Sequence, residues 1–208
     1  MSSASGEELA NGISHAVGLV CAIAAVPLLV LGAVGRGDAA DVVGSSVFGG
    51  SLVLLYLAST TYHLTRDPRL RKRFRRLDHA AIYVLIAGTY TPFTLGVLGG
   101  PWGWTLFGLV WGAALVGICT KLIAGVAYPR VSLAAYLLMG WLVLIAIRPL
   151  WSRMDIAGVV WLVLGGLAYS VGAAFYATPR LRYGHFVWHL FVLGGSTCHF
   201  FAALWYAA

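Results

Sequence analysis

Apolar residues fall into seven long runs, at 11–34, 43–64, 78–98, 102–124, 131–149, 156–177 and 184–207, separated by short polar breaks. Each run is near the about 20 residues that an α-helix needs to cross a bilayer. The alternating ten-residue segments of a lipid-facing barrel are absent, and the runs are continuous and rich in Gly and Ala, which predicts packed helices. The pattern therefore predicts an all-α membrane protein of seven transmembrane helices. It forms a single domain over residues 1–208, with a short polar amino-terminal segment at 1–10. Gly108, Gly112, Gly165 and Gly166 are expected to let helices approach closely. Pro27 and Pro92 lie inside runs and predict local kinks that neighbouring helices absorb.

Composition agrees: 60% of the 208 residues are hydrophobic and only 10% charged, against roughly a quarter charged in soluble domains. The formal charge of +7 is read as topology, because a nucleic-acid binder carries its charge on a solvated surface rather than between apolar runs. Arg66, Arg69, Arg71, Lys72, Arg73, Arg75 and Arg76 separate the second and third runs, Lys121 and Arg130 flank the next break of the same parity, and Arg180 and Arg182 the one after. The opposite breaks hold only Arg36, Arg148 and Arg153. By the positive-inside rule the amino terminus is cytoplasmic and the carboxyl terminus outside. The expected location is an integral membrane site with its basic face to the cytoplasm, with membrane lipids as partners and anionic headgroups drawn to the basic break. The start of the chain has no signal-peptide pattern, so the first span is expected to remain. Cys21, Cys119 and Cys198 lie in three different runs and predict no disulfide framework. Scattered glycines give no phosphate loop, so neither nucleotide nor nucleic acid is expected as a partner.

Ionisable groups inside spans are costly and mark sites. On the predicted topology His63 ends span 2, His79 opens span 3 beside Asp78, and His185 and His189 open span 7, all at the cytoplasmic ends. His185 and His189 stand four residues apart, on one helix face, as two imidazoles chelating one metal would. Such a pair also occurs as an ordinary interfacial pair. A third histidine, a serine and an aspartate at the same level favour the metal. His63 is at the right depth for a third ligand, and three imidazoles with one open position describe a catalytic zinc site. Ser59 lies one turn from His63, and Asp78 reaches the same level. Either can hold the attacking water, and Asp78 can take its proton or instead orient an imidazole. His79 points about 100° away from Asp78 and is read as a neighbour of the site or an interface residue. Glu8, Asn11 and His15 share one face at the start of span 1, where they cap the helix or line the site's entrance. His199 lies about 15 Å deeper than His189 and is read as a helix contact.

Five segments carry a resemblance: E-L-A-N-G-I-S-H from Glu8, S-T-T-Y-H from Ser59, L-D-H-A-A-I-Y-V-L-I-A-G-T-Y-T-P-F from Leu77, Y-L-L-M-G-W from Tyr136, and H-F-V-W-H-L-F-V-L-G-G-S-T-C-H-F-F from His185. The chain resembles the bacterial hemolysin III family, within the progestin and adiponectin Q receptor group and the wider alkaline ceramidase-like superfamily. The resemblance implies seven helices with an inside amino terminus, and a zinc ion surrounded by Ser59, Asp78, His63, His185 and His189. It also implies a link to membrane-lipid homeostasis and to the haemolytic activity for which the family is named.

Two functions are expected from this reading. The first is a zinc-dependent intramembrane hydrolase of a lipid amide or ester, with Asp78 and Ser59 catalytic and His63, His185 and His189 holding Zn2+. The alternative is a non-enzymatic sensor of membrane state, or a haemolytic pore-former, with a structural zinc. The apolar middle of the spans places a simple channel second.

Overall fold

A computed structural model describes residues 3–36, 38–178 and 180–207. Eight α-helices follow one another: α1 Ser3–Arg36, α2 Ala39–Leu64, α3 Pro68–Pro92, α4 Gly100–Ala124, α5 Pro129–Gly140, α6 Ile147–Arg153, α7 Ile156–Tyr176 and α8 Gly184–Tyr206. No strand occurs among the described residues. Seven stretches are long and apolar enough to cross a membrane: Gly6–Arg36, Ala39–Leu64, Pro68–Leu98, Gly100–Ala124, Pro129–Arg153, Ile156–Tyr176 and Gly184–Tyr206. Their outward faces carry large apolar side chains, with Ile123 83% and Val116 70% exposed. Water would penalise that surface and hydrocarbon does not. The chain is an all-α, multi-pass membrane protein.

Local sequence sets most helix starts. Asp38 accepts from the Ala40 amide at 2.8 Å before α2, Asp67 from the Arg69 and Leu70 amides at 2.9 Å before α3, and Asp155 from the Ala157 amide at 2.8 Å before α7. Pro68 and Pro129 occupy first-turn positions, where a missing N–H costs nothing. Gly99 and Gly100 have φ of 48° and 50°, a left-handed conformation that glycine adopts freely. They turn the chain into α4.

Three boundaries differ from the sequence expectation. Residues 3–10 belong to α1 rather than to a separate polar segment. The basic break before span 3 is mostly helical, because the Asp67 cap and Pro68 start α3 ten residues before the apolar run. The fifth span is interrupted at Trp141 and resumes through a 3₁₀ turn, Leu142–Ala146, into α6. Tyr90 of α3 explains that break. Its hydroxyl donates towards the Met139 and Gly140 carbonyls, at 3.0 and 2.7 Å, and accepts from the Val143 amide at 2.9 Å. Backbone groups that the helix no longer pairs are thus satisfied inside protein. After Pro92 the chain widens into a π-turn, Phe93–Leu98, where the proline has removed one donor from the helical ladder.

Helices adjacent in sequence pack in turn from α1 to α4, α7 packs on α8, and α8 closes back on α1. Backbones meet most closely at Gly44, where a β-carbon would stand 2.6 Å from Pro92 Cα. Gly165 lies under the His199 ring, as expected of a packing glycine, and Gly166 is near Trp141. Gly108 and Gly112 are different: a β-carbon there meets no described atom within 4 Å, so they face outward and mediate no close contact. The three cysteines are free.

Between α3, α5, α7 and α8 lies an apolar cavity of about 160 Å³, with Leu85, Tyr90, Leu137, Leu162, Trp188 and His199 among its walls. A second cavity, of about 40 Å³, shares Leu55, Ile82, Leu133, Tyr136, Trp188 and Val192 with it. Asp78, His15, His79, His185 and His189 line the smaller one.

Candidate metal centre

Helix α2 ends with His63, and α8 brings His185 and His189 to the same level from its first two turns. One ring nitrogen from each of the three lies within 4.8 Å of the others. The rings meet edge to face, with centroids 5.0 Å apart for His63 and His185, 4.9 Å for His63 and His189, and 4.7 Å for His185 and His189. A tetrahedral zinc with bonds of about 2.0–2.1 Å needs nitrogens about 3.3 Å apart. To hold it, the three nitrogens would have to draw together by up to about 1.5 Å.

Surrounding groups fix which nitrogen faces inward. His63 Nδ1 lies 2.8 Å from Glu8 Oε2. A carboxylate only accepts, so Nδ1 carries the hydrogen, and His63 Nε2 keeps its lone pair. That Nε2 is buried with no hydrogen-bond partner among the described residues, a costly state that a cation relieves. Glu8 is itself held by Arg71 Nη2 at 2.6 Å. At His189, Ser14 commits its hydroxyl hydrogen to the Asn11 carbonyl at 2.9 Å. His189 Nδ1, 3.2 Å from that carbonyl and 3.3 Å from Ser14 Oγ, therefore donates, and Nε2 is left as a ligand atom. A histidine ligand whose other nitrogen donates to an oxygen is the usual arrangement at a metal. The His185 amide points at Glu7 Oε1, 3.3 Å away.

Ser59 is 1% exposed, and its hydroxyl has no hydrogen-bond partner among the described residues. It lines the 40 Å³ cavity together with Asp78, His79, His185 and His189. His63 stands beside that cavity rather than in its wall. The predicted residues from α2, α3 and α8 are thus brought to one place. His79 turns into the same cavity wall, while its carbonyl accepts from Tyr136 at 2.8 Å.

The α1 trio is placed more intimately than a helix cap would be. Glu8 orients His63, the Asn11 carbonyl orients His189, and His15 stacks flat on His189 with centroids 3.6 Å apart and planes 9° apart. His15 lies edge-on to Tyr56 as well, and both its ring nitrogens are buried without partners. His199, ten residues beyond His189 along α8, stacks on Tyr169 with ring centroids 5.5 Å apart, as a helix contact does. Sequence reasoning did not single out Tyr136, Tyr176, Trp188 or Ser132, which complete the cavity wall. It also read Lys121 only as a topology charge, although a lone lysine in the last turns of an apolar helix is itself a signal.

A sequence profile of proteins described as Haemolysin-III related matches residues 4–200. The chain is 46% identical over 200 residues to Hemolysin-3 of Bacillus cereus, covering 96% of this chain and 91% of the relative. It is 45% identical over 200 residues to the Hemolysin-3 homolog of Bacillus subtilis (strain 168), covering 96% and 94%. It is also 28% identical over 206 residues to the Monocyte to macrophage differentiation factor of Homo sapiens, covering 94% and 82%.

Proposed function

We propose that this chain, which belongs to the haemolysin-III related family, is a metal-dependent hydrolase of a membrane-lipid amide or ester that acts in lipid homeostasis. Zinc would be held by His63, His185 and His189. The observation that carries this reading is the convergence of three imidazole nitrogens from two helices on one point, with His63 Nε2 buried and unpaired. Bound there, zinc would supply Lewis-acid polarisation of a carbonyl and a water made acidic near neutral pH.

The chain's own residues supply the rest. Asp78, in the cavity wall, would take a proton from the attacking water and return it to the leaving amine or alcohol. The unpaired Ser59 hydroxyl is a donor for the oxygen that gains charge as the carbonyl is attacked. Glu8 and the Asn11 carbonyl hold two rings in register. The apolar cavity behind Tyr136 and Trp188 suits a hydrocarbon chain. Basic residues gathered at this end, among them Arg71, Arg75 and Arg76 on α3, favour a cytoplasmic orientation in a bacterial plasma membrane.

The test is metal analysis of the purified protein, with lipid mass spectrometry of cells that carry or lack it. Zinc near one per chain and a lipid species that accumulates on deletion are expected. His185→Ala should lose both metal and turnover, and Asp78→Asn should keep the metal and lose turnover. Chelation that lowers thermal stability while lipid profiles stay unchanged would refute the hydrolase and leave an ion that ties α2 to α8.

A further inference from the structure

Lys121 lies one turn before the end of α4 and is only 2% exposed. Its ammonium donates to Ser132 Oγ on α5. Ser132 in turn donates to the Tyr128 carbonyl at 2.9 Å, so the serine's one hydrogen is committed and its oxygen receives the lysine. An ammonium has three donors. The other two have no partner among the described residues, and no carboxylate pairs with Lys121 there. Arg76, a cation like it, reaches over from α3 to the Leu122 carbonyl at 3.4 Å.

A covered cation without a counter-charge is expensive. The position of Lys121 shows what would relieve it. Ser132, which holds the ammonium, lines the 40 Å³ cavity with His79, Asp78 and the two α8 histidines. We propose that Lys121 forms an anion subsite at the edge of the histidine cavity. It takes a phosphate group, either the headgroup of a lipid whose chains enter the apolar cavity or free phosphate. This rests on the reading that the cavities receive a lipid, and it narrows that lipid to one with a phosphorylated headgroup. A neutral lipid of the same chains gains nothing from Lys121. A lysine that merely ties α4 to α5 has no preference for phosphate.

The experiment uses the full chain, zinc-loaded in neutral detergent, and follows thermal unfolding against three probes: dioctanoyl phosphatidic acid, dioctanoylglycerol and inorganic phosphate. The phosphatidic acid is expected to raise the melting temperature at far lower concentration than dioctanoylglycerol. Lys121→Met should raise the concentration for half effect by roughly tenfold or more, the usual reach of a charge-assisted hydrogen bond, and Lys121→Arg should restore most of it. Stabilisation by inorganic phosphate at the same concentrations identifies free phosphate as the source, and stabilisation by the lipid alone identifies the headgroup. An equal response of wild type and Lys121→Met, or of phosphatidic acid and dioctanoylglycerol, overturns the subsite. Should Lys121→Met not fold, the same titrations on Lys121→Gln, which keeps a donor for Ser132, decide: a lost preference for phosphatidic acid over dioctanoylglycerol supports the subsite, and an unchanged preference overturns it. Zinc content is measured in parallel. Zinc bound without a phosphate preference refutes this subsite alone, and a phosphate preference in a protein that takes no zinc refutes the hydrolase alone.

Discussion

Glu8→Ala is the most direct perturbation of the histidine cluster that leaves every ligand in place. Glu8 touches no ligand nitrogen of the site. It accepts from the far side of His63 at 2.8 Å and is anchored by Arg71 at 2.6 Å. Removing it frees the His63 ring to turn and takes negative charge away from Nδ1, which lowers the basicity of Nε2. Loss of such a partner typically weakens metal binding 10- to 100-fold, equivalent to about 1.4–2.7 kcal/mol. The Glu8 side chain is 37% exposed, so solvent screens part of the effect and the lower half of that range is expected. Zinc affinity is to be measured by competition with a chromophoric chelator, on protein whose melting temperature without metal is unchanged. Arg71→Ala should cost less, because Arg71 bonds Glu8 and lies over the Tyr62 ring at 5.0 Å rather than bonding His63 itself. The double variant should be no weaker than Glu8→Ala, since the two residues form one chain of contacts. Zinc affinity in Glu8→Ala equal to wild type would show that His63 is not a ligand through Nε2.

Two further predictions concern packing. Gly44→Ala would drive a methyl into the Pro92 backbone and should destabilise by about 1–3 kcal/mol, the usual cost of overpacking. Gly108→Ala meets open space and should be neutral or slightly stabilising, as comparison of the two melting temperatures will show. Ser196 joins α8 to α2 and α7, accepting from Tyr56 at 2.8 Å and bonding Tyr169 at 2.9 Å. Ser196→Ala should cost about 0.6–1.7 kcal/mol, the range found for hydrogen bonds between helices in a membrane. An unaltered unfolding midpoint would mean that the two tyrosines find other partners.

Much of the candidate site is legible in the chain because spans are rigid rods of nearly fixed length. Once seven runs alternate in direction, the depth of His63, Asp78, His185 and His189 follows from their distance to a run's end. The four-residue spacing on α8 puts two rings on one face whatever the neighbours are. What a linear reading leaves open is azimuth, meaning which way each face turns about its own axis. Glu8, Asn11 and His15 share a face in any helix, but only the packing of α1 between α2 and α8 turns that face onto the histidines. Gly108 and Gly112 look like packing glycines in sequence and face outward in space for the same reason.

Sequence by itself determined the membrane class, the number of crossings and the level at which the ionisable residues gather. Those properties depend on hydrophobic length and helical rise, which are local. Tertiary structure alone decided that Tyr90 breaks the fifth span, that Lys121 is covered without a carboxylate, and that an apolar cavity adjoins the polar one. Each depends on side chains from helices distant in the chain meeting at one point, and no periodicity within a single helix encodes such a meeting.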